Sequence, residues 1–288
     1  MTVNAAAVKR KRPATWLENR AGTVTYLFLG VYSLIAVGPL LLVLINSFRT
    51  TLDISQSPLG LPTSFYFDNY VKAWNQASFG TFALNSVLVT TVSILLGVAA
   101  AAFAAFPLAR WRFRGRGTLS ALFLAGLLLP AQLGIVPIFT LLDSFGLVDS
   151  YLGLILVYST LSLPLAILIL TTFFKQLPEN IEEAARIDGA GEIRVFFSIM
   201  LPLIRPALAT VAIVQAAPIW NDFFYPLVLL RSSEKYTLPV GLTQFFGQYQ
   251  SDFGVLFAAL VIVSLPLIVI FVFATRQIVA GLTAGSEK

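Results

Sequence analysis

The 288-residue sequence contains neither cysteine nor histidine. Without cysteine there is no disulfide framework and no thiol chemistry. Without histidine the commonest metal ligand and the commonest general base are both missing. Charge is scarce as well: 11% of residues are Asp, Glu, Lys or Arg, against about 25% in an ordinary soluble domain. The phosphate-cradling pattern G-x-x-x-x-G-K-[ST] does not occur, so the chain does not hold ATP by that route. H-E-x-x-H is absent too, which leaves a membrane-embedded enzyme only acid or hydroxyl chemistry, and no such constellation stands out. No internal repeat is evident, and the only biased tract is the alanine-rich run 99–105, whose small side chains suit close helix packing.

What is abundant is apolar surface, 57% of residues. Six apolar runs, at 24–45, 83–109, 118–142, 152–174, 204–230 and 255–275, are each near or above the ~20 residues a helix needs to cross ~30 Å of hydrocarbon. The chain therefore reads as an all-α, polytopic membrane protein with six transmembrane helices. It divides into a basic tail (1–23), a transmembrane region (24–275) and a short C-terminal tail (276–288). The first run is too long for a signal-peptide core and lacks a small-residue cleavage site, so it reads as a retained span.

Orientation follows from the basic residues. Lys9, Arg10, Lys11, Arg12 and Arg20 precede the first span, where they read as an orientation signal rather than a nucleic-acid-binding tail. With both termini inside, all but Arg49, Lys72, Arg231 and Lys235 of the 19 Lys and Arg residues fall on the inner side. This N-in, C-in topology leaves two outer loops, 46–82 and 231–254, that carry aromatics such as Phe65, Tyr66, Trp74, Phe246 and Tyr249. Those rings suit either anchoring at the headgroups or a surface for an external protein.

The topology also puts the polar loop 177–202 on the inner side. Pro178 suits a first helical turn, and Glu179, Glu182 and Glu183 sit favourably against the helix dipole. Leu177, Ile181, Ala184 and Ala185 form a narrow apolar stripe, flattened by the two alanines. Gly189 stands where a left-handed residue ends a helix. Residues 192–200 read as a second short helix, stopped near Pro202 by the missing proline donor and the ring clash. A thin, alanine-rich stripe preceded by three acids is a poor binder of an anionic leaflet, so this helix–turn–helix is expected to press on a protein instead.

The loop carries Glu183-Ala184-Ala185, then Gly189 after three residues, then Ile199, Leu201 and Pro202, the full spacing EAA-x3-G-x9-I-x-LP. It resembles the cytoplasmic-loop signature of the permease subunits of ABC importers. Further stretches look like the carbohydrate branch, and more narrowly its maltose-type, six-span permease: Phe173 to Glu179, Trp220 to Leu227, Thr237 to Leu242 and Gly281 to Gly285. The resemblance implies a subunit of the bacterial inner membrane that forms half of a translocation path. It implies a second homologous permease subunit, two ATPase subunits and an extracytoplasmic sugar-binding protein as partners, no nucleic acid, and no cofactor on this chain, ATP being bound by the ATPase subunits. It gives Glu183, Ala184, Ala185, Asp188, Gly189, Ile199, Leu201 and Pro202 the role of coupling to the ATPase. A similar C-terminal piece in such relatives reaches into the ATPase dimer, although Ser286 and Glu287 depart from the usual ending.

Polar residues within spans are costly and tend to face an interior path. The candidates are Asn85, Ser86, Gln132, Ser159, Thr160, Ser162, Gln215 and Asn221 with Asp222. Gln132 lies between Pro130 and Pro137, which can kink the helix. Trp220 and Tyr225 flank Asn221 and Asp222, and aromatic faces beside polar acceptors suit a sugar. Helix-to-helix bonding is the competing role for these groups, Asp222 above all. An ion-coupled secondary transporter would want ionisable relays near the midplane, for which Asp222 is the sole plausible residue. A non-sugar solute such as a glycerol phosphate derivative is the other alternative cargo.

Overall fold

A computed structural model describes residues 16–283 except 77 and 248–251, with side chains described from 25 to 272 outside 76–77 and 246–251. The basic cluster at Lys9 to Arg12, the loop residue Tyr249 and the ending at Ser286 and Glu287 lie outside the described residues.

Among the described residues the chain is helical and has no strand. In order it forms α1 (Trp16–Asn46), α2 (Thr51–Gln56), α3 (Asp68–Gln76), α4 (Phe79–Arg110), α5 (Arg116–Gly126), α6 (Ile135–Ser144) and α7 (Tyr151–Gln176). There follow α8 (Asn180–Ile187), α9 (Glu192–Arg194), α10 (Leu201–Leu203), α11 (Arg205–Asn221), α12 (Phe224–Leu229), α13 (Leu238–Gly241), α14 (Thr243–Gly247) and α15 (Phe253–Thr283). α1, α4, α7 and α15 are continuous helices long and apolar enough to cross a membrane, and two bent pairs bring the count to six.

The bends interrupt the third and fifth runs, the third at the prolines that the sequence marks as a kink site. Between α5 and α6 the axis turns by 97° through a 3-10 turn at Ala131–Gly134. Pro130 biases the preceding residue away from α, and its missing N–H breaks the ladder there. The fifth run splits differently. Its apolar stretch helps form α11, but the chain turns extended at Asp222 (ψ 125) before α12, with Pro226 unable to donate in the first turn. The second loop helix does not stop at Pro202 either. It runs through a π-helical turn (Val195–Met200) into α10, and the 71° bend comes at Ile204, ahead of Pro206. Proline's ring clashes with the carbonyl four residues back, so Pro206 rather than Pro202 sets the break. At the C-terminus α15 continues to Thr283.

The packing centre is the α4–α7 pair. Ala101, Ala102 and Ala105 are buried there with Ala166, Ile167 and Leu170. A Cβ on Gly97 would lie 2.6 Å from the Ser162 hydroxyl, so the helices approach at van der Waals limits. At the end bearing the polar loop, Phe106, Phe174 and Phe196 close the core, with ring centroids 5.2–6.4 Å apart. At the opposite end buried polar groups tie the loops down. Asn85 donates to the carbonyls of Glu234 (2.8 Å) and Tyr236 (3.0 Å) and accepts from the Tyr151 hydroxyl, and Ser86 accepts from the Leu238 amide. These bonds make Asn85 and Ser86 fasteners rather than lining of a path. α1 exposes most of its apolar length, as a lipid-facing or partner-facing span does.

Candidate functional site: a docked loop and a cavity between helix breaks

The polar loop folds into a rigid corner. α8 ends in a Schellman cap, in which the Gly189 amide donates to the Arg186 carbonyl (3.0 Å) and the Ala190 amide to the Ala185 carbonyl (2.9 Å). Gly189 has φ 80, the left-handed conformation that the sequence predicts at this position.

The stripe is arranged differently from the expectation. α8 buries Glu182 and Ala185, while Glu183, Ala184, Ile187, Asp188 and Gly189 are exposed. Ala185 packs into the chain's own core with Val195, Phe196 and Met200. Ile199 and Leu201 pack against the same core, and Pro202 is half-buried beside them. The surface offered outward is therefore Glu183, Ala184, Asp188 and Gly189, with Ile187 at 85% exposure and Ile193 at 76% beyond the corner.

The residue that sequence reasoning missed is Glu182. Its Oε1 lies 2.6 Å from Arg110 Nε at the end of α4, both side chains being 5–7% exposed, and Arg110 Nη2 donates to the Leu177 carbonyl at 2.7 Å. The Nε–Oε1 contact lies off the hydrogen-bond direction, so it is an ion pair by proximity. Arg186 Nη2 is 3.6 Å from the other carboxylate oxygen, and Arg186 Nε donates to Glu192 at 3.0 Å, which links α8 to α9. Burial pushes the Glu182 carboxyl above the usual carboxylate range, against the opposing pull of Arg110 and Arg186.

The second feature is a cavity of ≈ 310 Å³ where the two helix breaks meet α7. Gln132, Tyr158, Ser162, Gln215, Asp222 and Tyr225 supply its polar lining, among apolar side chains. Asp222 caps α12, accepting from the Phe224 amide (3.2 Å) and the Tyr225 amide (3.1 Å), and it also accepts from the Tyr158 hydroxyl at 2.7 Å. Tyr225 donates to the Ala131 carbonyl at 2.6 Å, so a polar group freed at one break is satisfied from the other. Gln215 donates to the Ser162 carbonyl at 3.1 Å, and its Oε1 has no partner among the described residues. Irregular backbone at membrane depth is tolerated where it lines a cavity or is buried in protein, and here it does both. Two of the path candidates do not line this cavity. Trp220 is buried in a different cluster and donates its indole N–H to the Val263 carbonyl at 3.1 Å, and Asn221 is exposed outside the cavity.

At the end opposite the loop, Asp149 holds two segments together. Its carboxylate accepts from the Arg231 and Ser232 amides (2.9 and 3.0 Å) and from the Ser232 hydroxyl, and Lys235 Nζ lies 3.0 Å away. Those donors, Ser232 first, hold the carboxyl well below the usual range.

Known proteins match this architecture along most of the chain. The family described as binding-protein-dependent transport system inner membrane component matches residues 93–283. The diacetylchitobiose uptake system permease protein NgcG of Streptomyces coelicolor is 38% identical over 97% of this chain and 93% of its own length. The arabinooligosaccharides transport system permease protein AraQ of Halalkalibacterium halodurans is 34% identical over 88% of this chain and 92% of its own. A chain of a bacterial ABC transporter involved in the import of the acidic polysaccharide alginate superposes with a TM-score of 0.82, at 24% identity, over 92% of this chain and 99% of that one, which establishes the shared fold. A family match over about two thirds of the sequence, with relatives above 30% identity along nearly all of it, places the chain in the binding-protein-dependent transport system inner membrane component family, as a multi-pass permease subunit of an ABC transporter.

Proposed function

We propose that this chain is the permease subunit of an ATP-driven sugar importer, forming half of the translocation path and coupling to the ATPase through the loop at 177–202. The carrying observation is the corner formed by Glu183, Ala184, Asp188 and Gly189, exposed on one side and locked to α4 on the other through Glu182 and Arg110. A handle that passes force must be stiff on the protein side and free on the partner side, and this one has both properties.

A second permease subunit completes the path, two ATPase subunits bind ATP and press on the corner, and an extracytoplasmic binding protein delivers the sugar. The chain contributes no ATP hydrolysis of its own. Swinging such an assembly from 1:99 to 99:1 between inward- and outward-open states takes about 5.5 kcal/mol of differential binding. ATP and the loaded binding protein supply it, and the corner transmits it. Sugar as cargo is supported by the names of the relatives, which concern diacetylchitobiose and arabinooligosaccharides. The cavity suits transient contact with hydroxyls through Gln132, Gln215 and Tyr225. A proton-coupled carrier is disfavoured because Asp222 is engaged by three donors.

The test is to purify the chain with its co-assembling subunits and binding protein and to screen sugars for stimulation of ATP hydrolysis. A sugar that stimulates supports the reading. An assembly without any ATPase, or one stimulated only by a phosphorylated glycerol, defeats it. Glu183→Lys is expected to lower recovery of the ATPase on co-purification, and undiminished recovery removes Glu183 from the contact.

A further inference from the structure

A groove of ≈ 300 Å³ runs beside the polar loop, between the last turns of α4 and the π-helical turn that follows α9. Phe103, Phe106, Trp111, Ile193, Phe196 and Phe197 form its walls. The aromatic rings interlock: Phe103 stacks on Phe196 at 5.0 Å and meets Phe197 edge-on at 5.6 Å, and Trp111 lies against Phe106 at 6.0 Å. Even so, Phe103, Phe197 and Trp111 remain 43–53% exposed. The depth of the groove says what reaches it. Phe103 lies seven residues before Arg110, the last residue of α4, about 10 Å into the span at 1.5 Å per residue. Trp111 follows the last residue of α4, where, on the topology expected from the sequence, an aromatic ring suits the headgroup level.

Arginines flank the lining residues in sequence: Arg112 and Arg114 follow Trp111, and Arg194 follows Ile193. All three are exposed, and none has a carboxylate partner among the described residues. The one acid lining the groove, Glu192, is already paired with Arg186 at 3.0 Å. One molecule meets both requirements, an apolar chain at hydrocarbon depth and an anion at the surface.

We propose that this groove binds an anionic phospholipid, with an acyl chain along Phe103, Phe197 and Trp111 and the phosphate between Arg112, Arg114 and Arg194. The occupied groove would lie against α9, so the lipid would brace the second arm of the loop from the membrane side. The inference rests on the spans and the groove and does not depend on which solute is carried.

Trp111 provides the probe. The assembled transporter is placed in bilayers of unlabelled phosphatidylcholine containing a small fraction of lipid brominated on its acyl chains, with either a phosphatidylglycerol or a phosphatidylcholine headgroup. Subtracting the emission of Trp111→Phe isolates the Trp111 signal from the other tryptophans. Half-quenching is expected at a concentration on the order of fivefold or more lower for the anionic lipid, each arginine near an anionic headgroup being worth about that factor. Arg112→Gln with Arg114→Gln is expected to bring the two lipids together while quenching by brominated phosphatidylcholine persists, which shows the groove intact. Equal quenching by both lipids in the unaltered protein overturns the headgroup assignment and leaves an ordinary lipid-facing surface. Absence of Trp111 quenching by either lipid overturns the proposal outright and points to a protein partner filling the groove.

Discussion

Replacing Arg110 with glutamine isolates what holds the loop to the bundle. α8 provides two buried side chains, Glu182 and Ala185. Burying the Ala185 methyl contributes about 0.8 kcal/mol, whereas removing one member of a buried ion pair costs about 3–5 kcal/mol because the other charge stays behind. The ion pair therefore decides whether α8 stays docked. In Arg110→Gln the Glu182 carboxylate keeps Arg186, 3.6 Å away and half exposed, as its remaining cation. The expected cost is thus near the low end, about 3 kcal/mol, or roughly a hundredfold rise in the open population. Hydrogen exchange at the Asp188 and Ala190 amides, which close the end of α8, reads that population directly in the assembled transporter. The pH dependence supplies an independent sign. Burial already raises the Glu182 carboxyl, and Arg110 opposes that rise, so losing Arg110 raises it further. An acid whose folded pKa exceeds its unfolded value favours folding when protonated, so docking weakens as pH rises from the ordinary carboxylate range through the raised value. Arg110→Gln should therefore open more at about pH 8 than at about pH 5.5, after correction for intrinsic exchange rates, and the unaltered protein should show the same trend more weakly. Arg110→Met with Glu182→Leu, which replaces the pair by apolar side chains, should recover most of the protection. Wild-type exchange in Arg110→Gln, or greater opening at the lower pH, would refute the argument.

Gly189→Val should uncouple ATP hydrolysis from transport while leaving the spans inserted, because a β-branched residue resists φ 80 although a Cβ meets no atom within 4 Å. Strain alone is then about 1–2 kcal/mol, and Gly189→Asn, which tolerates this conformation, should stay coupled; equal coupling ratios in the two variants would count against the turn. Gly241→Ala should lower the thermal midpoint in detergent, since the new Cβ would fall 2.3 Å from the Phe82 ring, and overpacking costs about 1–3 kcal/mol; an unchanged midpoint would mean that Phe82 moves freely. Asp149→Asn should raise exchange at the Arg231 and Ser232 amides on the order of tenfold, and lowering the pH below about 4 should do the same in the unaltered protein. The sign follows from the depressed carboxyl, whose stabilisation is present above its ordinary pKa and is lost as pH falls toward the lower folded value.

Spans and the left-handed turn at Gly189 are legible because each depends on local properties, apolar run length in one case and the steric freedom of one residue in the other. The role of Glu182 is not legible in that way. Three acids at the start of a helix have a sufficient local explanation in the helix dipole, and nothing in α8 separates Glu182 from Glu179 and Glu183 until the helix is docked. Its partner Arg110 ends α4, with three helices between it and α8, and in the sequence Arg110 is one of the many Lys and Arg residues for which the expected topology already offers a sufficient reading. The i, i+3 spacing of Glu182 and Ala185 was the available signal, since it puts both on the face that ends up buried. The cavity shows the complementary limit. Trp220, Asn221 and Asp222 are adjacent in sequence, but successive helical residues point about 100° apart, so three in a row cannot face one space. Asp222 reaches the cavity because it leaves the helix, at ψ 125, while Trp220 and Asn221 remain on α11 and diverge. The prolines marked where the third run is interrupted, yet the partner of a carbonyl freed there lies on the other break, where Tyr225 donates to Ala131. Each break is supported by the other, a dependence between segments almost a hundred residues apart that the pattern of either one does not contain.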